Sequence, residues 1–380
     1  MIVAGEASGD LHSAKLVRAL REAAGGDIEF FGCVGPRLRE AEVEPIVYSD
    51  QLSIVGLPEI ARALPVFLRA FRDLKKAAIE RRPDVVVLVD FPDFNLTLAK
   101  SLKRAGFKIA YYISPQLWAW RKYRIRTIIK YVDLLITILP FEKDWYRKHG
   151  VEHVVYVGSP LAMQVHANTS KDEFCEKHGL DAHRSIVSLL PGSRHKEISR
   201  ILPEMLGTAA LLSEKHSEIQ FVIPVGSAEA RQEVNATLLD WKQANAKLPR
   251  TLVITENETY DALNSSDAAA VTSGTATLET GIIGTPMAIV YKTSNLNYKL
   301  FRPIISVEHF GLINLIAGER LATELIQDDF NPETLASELL RLLDPRENAR
   351  IRARLAEVAA TLGSGGASDR AAVHILNLIQ

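Results

Sequence analysis

Short, uniformly apolar runs alternate along this chain with longer stretches in which apolar residues recur every three to four positions. The run VVVLVD (85–90) is β-branched and apolar until its last residue, which predicts a central parallel strand buried on both faces. MIVA (1–4), KIAYYI (108–113), LLITIL (134–139) and HVVYVG (153–158) read the same way. A second series follows with SIVSLL (185–190), QFVIPV (220–225), TLVIT (251–255), AAAVT (268–272) and MAIVY (287–291). Helix-period stretches such as LHSAKLVRALREA (11–23) lie between them. Two such series predict an α/β protein with two Rossmann-like, doubly wound parallel sheets facing each other across a cleft. The chain turns polar after Ser159-Pro160, so the expected domains are 1–165 and 166–345. C-terminal helices (346–380), broken at Gly363-Ser364-Gly365-Gly366, are expected to pack on the first domain or to be exchanged in a dimer. Ligands of such sheets sit beyond the carboxyl ends of the strands, which directs attention to the residues just after each apolar run.

Composition changes this picture little. A length of 380 residues exceeds what one core usually serves. A net charge of -1 argues against a general attraction to nucleic acid. Cys33 and Cys175 are the only cysteines, too few and too far apart for a disulfide scaffold or a cysteine metal site, which fits a reducing cytoplasm. The opening MIVAGEASGD lacks the features of a signal peptide, and no apolar run approaches the ~18–20 residues of a membrane span. Membrane contact is therefore expected to be peripheral. No His/Asp/Glu spacing suggests a metal, and no dinucleotide or P-loop motif is present, so no cofactor is expected.

Four stretches carry candidate chemistry. LLPGSR places Gly192, Ser193 and Arg194 between a strand and a helix, where backbone N–H groups, the helix N-terminus and a guanidinium suit an anion; an ordinary turn with a solvated arginine fits equally. TSGTATLE places Ser273, Gly274 and Thr275 ahead of a helix, with Glu279 one turn on. That suits a diphosphate and ribose hydroxyls, although a capping box explains the same residues. DFPDFN follows the strongest strand, and Asp90 or Asp93 could take a proton from a hydroxyl nucleophile; an Asx turn or a cap for a helix beginning near Asn95 is the plainer account. Finally, residues 57–79, with Phe67, Leu68, Arg69 and Arg72, and PQLWAWRKYRIR, with Trp118 and Trp120, combine apolar and basic residues as a lipid surface would require, while a core-facing amphipathic helix and a loop with buried tryptophans are the commoner explanations.

Taken in order, GEASGD, LPEI, DFPDFN, YYISPQLWAWR, LPFEKDWY, VGSPL, LLPGSR, TSGTATLE and NLIAGERLATELIQ resemble the lipid A disaccharide synthases over residues 1 to about 330. The resemblance implies an inverting, metal-independent glycosyltransferase of the two-Rossmann (GT-B) fold. Its donor would be UDP-2,3-diacylglucosamine and its acceptor 2,3-diacylglucosamine 1-phosphate, on the cytoplasmic surface of the inner membrane. It implies Asp93 as catalytic base and functional roles for Glu6, Arg194, Glu279 and Asn314. Ser8, Gly9, Asp10 and Asn95 are expected beside the acceptor. It also implies a homodimer exchanging C-terminal parts. This chain reads Glu319-Arg320 where the family often has arginine first. A UDP-N-acetylglucosamine epimerase-like enzyme and a non-catalytic UDP-sugar or lipid-binding protein are the alternatives.

Overall fold

A computed structural model describes residues 1–52, 57–244, 247–294 and 309–380, without the side chains of 51 and 57–63, so Arg62 lies outside the described side chains. Seven strands form one sheet: β1 (Ile2–Ala4), β2 (Phe31–Val34), β3 (Glu44–Tyr48), β4 (Val86–Val89), β5 (Ile109–Tyr112), β6 (Leu134–Thr137) and β7 (Val154–Tyr156). Six form a second: β8 (Ile186–Leu190), β9 (Gln220–Val225), β10 (Leu252–Glu256), β11 (Ala268–Thr272), β12 (Met287–Tyr291) and β13 (Thr323–Ile326). Every described pairing is parallel. The ten apolar runs above are all strands. β2, β3 and β13 are added to them. β2 is four residues long and interrupted by Gly32, while β3 and β13 are edge strands with partly solvated faces, so none forms a uniform apolar run.

The chain divides into two compact units, one of residues 1–160 and 362–380 and the other of residues 161–361. The two C-terminal helices are divided between them. Helix Pro345–Ala360 stays in the second unit, and helix Ala367–Ile379 returns to the first. Ala367, Ala371, Ala372 and Ile375 make one face of that last helix, buried with Val87, Val89 and Tyr112 of the sheet and with Leu16 and Leu20 of helix Ala7–Ala24. Burial of Ile375 alone contributes about 1.5–3 kcal/mol. Where the chain leaves and re-enters the first unit its two passes lie side by side: Ser159 N–H donates to the Leu362 carbonyl at 2.8 Å, and Arg370 Nε donates to the Val157 carbonyl at 2.8 Å.

Sheet order positions the chemistry. The first sheet runs β3-β2-β1-β4-β5-β6-β7 and the second β10-β9-β8-β11-β12-β13. Strand order reverses between β1 and β4 in one and between β8 and β11 in the other. At such a reversal the connecting helices diverge to opposite faces and open a crevice at the carboxyl ends. The segments after β1 and β4 are GEASGD and DFPDFN; those after β8 and β11 are PGSR and SGT.

Candidate active site

At the first reversal the ends of β1 and β4 touch. The Phe91 ring lies where a Cβ on Gly5 would be, 2.3 Å away, so only glycine fits there. Asp90 and Phe91 have left-handed backbone, with φ of 46° and 50°, a conformation that costs a non-glycine residue about 1–3 kcal/mol unless its surroundings hold it. Here the Asp90 carbonyl accepts hydrogen bonds from Tyr111 Oη at 2.6 Å and Asn95 Nδ2 at 2.8 Å. Burial, and then the negative charge of Glu6, push the Asp90 carboxyl up to about 6. Glu6 itself is exposed at the start of helix Ala7–Ala24, and Ser8 is exposed beside it.

Other residues expected beside the acceptor are committed inside the protein. Gly9 is buried. Asp10 is 1% exposed, and its carboxylate accepts the backbone N–H groups of Gly35, Arg37 and Leu38 at 2.7–3.1 Å, capping the helix Pro36–Glu40. Asn95 is fully buried and spends its amide N–H groups on the carbonyls of Val89 and Asp90. The helix expected to begin near Asn95 begins at Pro92, with Asp93 exposed in its first turn. Two guanidiniums reach Asp93: Arg121 Nη1 at 2.7 Å and Arg124 Nη2, both on Oδ1. That oxygen is already engaged by cationic donors.

In the second unit, Pro191 follows β8 and the loop opens at Gly192, whose φ is 107° and whose missing Cβ leaves room for the Glu197 carboxylate, 2.6 Å from where it would stand. Glu197 Oε2 accepts the N–H groups of Ser193 at 3.2 Å and Arg194 at 3.4 Å, and Oε1 accepts from Arg194 Nη1 at 3.2 Å. The loop thus does hold an anion, a carboxylate of its own helix in capping-box geometry. Arg194 is 81% exposed and free to turn toward another.

After β11, Ser273 Oγ donates to the Phe310 carbonyl at 2.8 Å, and Gly274 and Thr275 begin the helix Thr275–Ile283 with Gly274 and Thr275 exposed. Glu279 faces a cavity of about 220 Å³ that it shares with Asn168, Asn257 and Tyr260, and burial raises its carboxyl. Asn257 and Tyr260 escape the sequence reading. Their signal is their place just beyond β10, at the carboxyl ends of the same sheet. Asn314, expected at the nucleotide, is turned inward instead. It is fully buried, Nδ2 donates to the Ala322 carbonyl at 2.8 Å and to Glu324 Oε1 at 3.0 Å, and Oδ1 accepts Ala322 N–H at 2.8 Å. Glu324 Oε1 also accepts Phe310 and Gly311 N–H at 2.9 Å, so Asn314 and Glu324 fix the turn that meets Ser273. Arg320 donates to the Glu324 carbonyl and Glu319 pairs with Arg354.

Of the apolar-basic residues, Trp118 is corrected to a core position. It is 6% exposed, its indole N–H donates to Glu142 Oε1 at 3.0 Å, and it packs edge-on against Phe141. Glu142, buried and bonded also to Leu139 N–H, is pushed up to about 7 by burial. Trp120 is 46% exposed and stacked with Arg121. Phe67 is half-buried against Phe91 and Phe94, whereas Leu68, Arg69 and Arg72 are exposed. A larger cavity, about 620 Å³, is lined by Met1, Phe31, Val85 and Ile379 at the amino ends of the strands, away from the reversal. Among the described residues no group of three His, Cys, Asp or Glu could hold a metal, and no helix is long and apolar enough to cross a membrane.

A family model described as lipid-A-disaccharide synthetase matches residues 1–372. A protein of Trichlorobacter lovleyi named lipid-A-disaccharide synthase is 44% identical over 100% of this chain and 97% of its own length. Among solved structures, a UDP-GlcNAc 2-epimerase from Neisseria meningitidis bound to UDP-GlcNAc superposes with a TM-score of 0.61 at 13% identity, covering 97% of each chain. The calicheamicin glycosyltransferase gives 0.58 at 15%, covering 99% of this chain and 96% of that one. At such identities the structural likeness concerns the fold alone, two doubly wound parallel sheets.

Proposed function

Because this chain belongs to the lipid-A-disaccharide synthase family and is a glycosyltransferase, we propose that it transfers 2,3-diacylglucosamine from its UDP derivative to the 6-hydroxyl of 2,3-diacylglucosamine 1-phosphate, with inversion and release of UDP. The observation that carries the chemistry is that each sheet reversal is flanked by what one half of this reaction needs. The first unit offers a half-buried carboxylate to receive a proton. The second offers N–H donors, an arginine and a carboxylate for a nucleoside diphosphate. The base in this reading moves from Asp93 to Asp90. Asp93 already receives two guanidiniums, whereas Asp90 is held at the reversal with its carboxyl pushed up to about 6 by burial. As the acceptor oxygen attacks C1 of the donor, its proton passes to Asp90, the C1–O bond to the diphosphate breaks, and UDP leaves with the bonding pair. Arg194 and the first N–H groups of helix Thr275–Ile283 meet the charge growing on that phosphate. Glu279 with Tyr260 and Asn257 would receive the nucleoside. Asp10, Asn95 and Asn314 serve as positioning residues. The test is UDP release from acylated and unacylated UDP-glucosamine, with and without the lipid acceptor. Release that ignores the acceptor or the acyl chains would favour the epimerase-like or binding alternatives.

The pH dependence follows from Asp90. It must be ionised to take a proton, so kcat/KM should fall as pH drops through about 6. Glu6→Gln removes a like charge that disfavours ionisation, so Asp90 should ionise more readily and the acid limb should move to lower pH. A limb unmoved by Glu6→Gln would disconnect the two carboxylates.

We also propose that the first unit meets the cytoplasmic membrane surface through the outer side of helix Leu57–Arg81. Leu64 and Leu68 are 56% and 53% exposed there, beside the exposed Arg69, Arg72 and Lys76. The protein should sediment with anionic vesicles at low salt and release as salt rises, since each surface cation contributes only about 1 kcal/mol and is screened. Changing Arg69, Arg72, Lys75 and Lys76 to Ser should weaken sedimentation while leaving the fold intact. Unchanged binding would make this face an ordinary solvated one.

A further inference from the structure

The acceptor in the proposed reaction carries a phosphate as well as its reacting hydroxyl, and the base assignment leaves a cationic cluster unexplained. The segment after β5 bends over the carboxyl end of the sheet and brings Arg121 and Arg124 together on Asp93 Oδ1. β5 neighbours β4, so the cluster stands beside the reversal that holds Asp90. Tyr111 ties the two: its hydroxyl donates to the Asp90 carbonyl at 2.6 Å, and its ionisation is opposed first by burial and then by the charge of Asp90, and is eased by Arg124.

This is more than a surface ion pair. Two positive groups answer one negative one, leaving a surplus charge. Arg124 is 16% exposed and Arg121 34%, while Asp93 between them is 66% exposed, so the cluster is braced from within and open outward. Arg121 lies 4.2 Å from the centre of the Trp120 ring, which limits its freedom before any ligand binds. The segment is anchored below by the Trp118–Glu142 bond and by Tyr146 Oη donating to the Pro115 carbonyl at 2.5 Å. Each guanidinium has five N–H donors, and the described contacts use few of them. Planar, pre-oriented, incompletely neutralised guanidiniums fit the oxygens of a phosphate monoester.

We propose that Arg121 and Arg124 are the receptor for the phosphate of the acceptor sugar and that Asp93 is the internal anion that spaces them. The inference rests on the acceptor assigned above, and it gives the enzyme a means of choosing a phosphorylated acceptor over a neutral one. The test compares 2,3-diacylglucosamine 1-phosphate with its dephosphorylated counterpart in detergent micelles, using the wild type, Arg121→Gln and the double variant Arg121→Gln/Arg124→Gln. The wild type should favour the phosphorylated acceptor. The variants should raise KM for it by about 10- to 100-fold while changing KM for the dephosphorylated one little, so that discrimination collapses with kcat nearly kept. Arg121 is the more exposed of the two, so its single variant serves if the double one does not fold. Equal losses on both acceptors would mean the arginines only hold the segment in place, and the proposal fails. It fails equally if discrimination survives, or if the variants lose only binding to anionic vesicles, which would make the pair part of a lipid-headgroup surface. No transfer by the wild type to either acceptor would overturn the functional reading itself, and this inference with it.

Discussion

Asp90→Asn should lower the transfer rate by about 10²–10⁴ in single-turnover measurements while UDP affinity stays close to wild type. The substitution keeps the side-chain volume and removes the proton acceptor. The residue's structural work is done by its backbone, through the bonds its carbonyl accepts from Tyr111 and Asn95, which asparagine retains. Stability should not suffer. A carboxyl raised from 3.8 to about 6 in the folded state opposes folding increasingly as pH rises between those values and fully above about 6, where it must be ionised in a half-buried place, and the amide removes that penalty. Asp93→Asn should differ in kind: chemistry at saturating acceptor is largely kept, and the change appears in acceptor KM. If Asp93→Asn abolished single-turnover chemistry and Asp90→Asn did not, the base would return to Asp93.

Arg194→Ala should slow transfer by about 10²–10³, the range found when one donor to a developing negative charge is removed. Its only described partner is Glu197 of the same helix turn, at 81% exposure, and such surface pairs contribute about 0–1 kcal/mol, so the variant should fold and melt near wild type. The loss should appear with the donor substrate and in UDP affinity. A folded variant with wild-type turnover would remove the diphosphate from the loop after β8.

Much of the fold was legible because a strand buried on both faces of a parallel sheet must be apolar throughout. The ten runs so identified are strands, and the loops singled out lie at their carboxyl ends. Strand order was not legible, and only the order shows that those loops flank the two reversals. The polar residues divide by the same logic. Asp10, Asn95, Asn314 and Trp118 look like ligand-facing groups in sequence because their partners lie elsewhere: Gly35 to Leu38 for Asp10, Ala322 and Glu324 for Asn314, Glu142 for Trp118. Asn95 is the exception, bonded to Val89 and Asp90 close by. Asp93 could not be told from Asp90 without Arg121 and Arg124, 28 and 31 positions away.

The paired passes at Ser159 and Leu362 set an order of events during synthesis. The second unit is one continuous stretch and can close as soon as it has left the ribosome. The first cannot. Its seven strands are made early, but the helix that covers Val87, Val89 and Tyr112 on one face is translated only after the whole second unit. At about 5–20 residues per second that face waits roughly 10–45 s for its cover. A nascent chain of this protein therefore carries a finished second half beside an open first half, and a message cut short before Ala367 would leave the older half, not the newer one, exposed to aggregation and proteolysis.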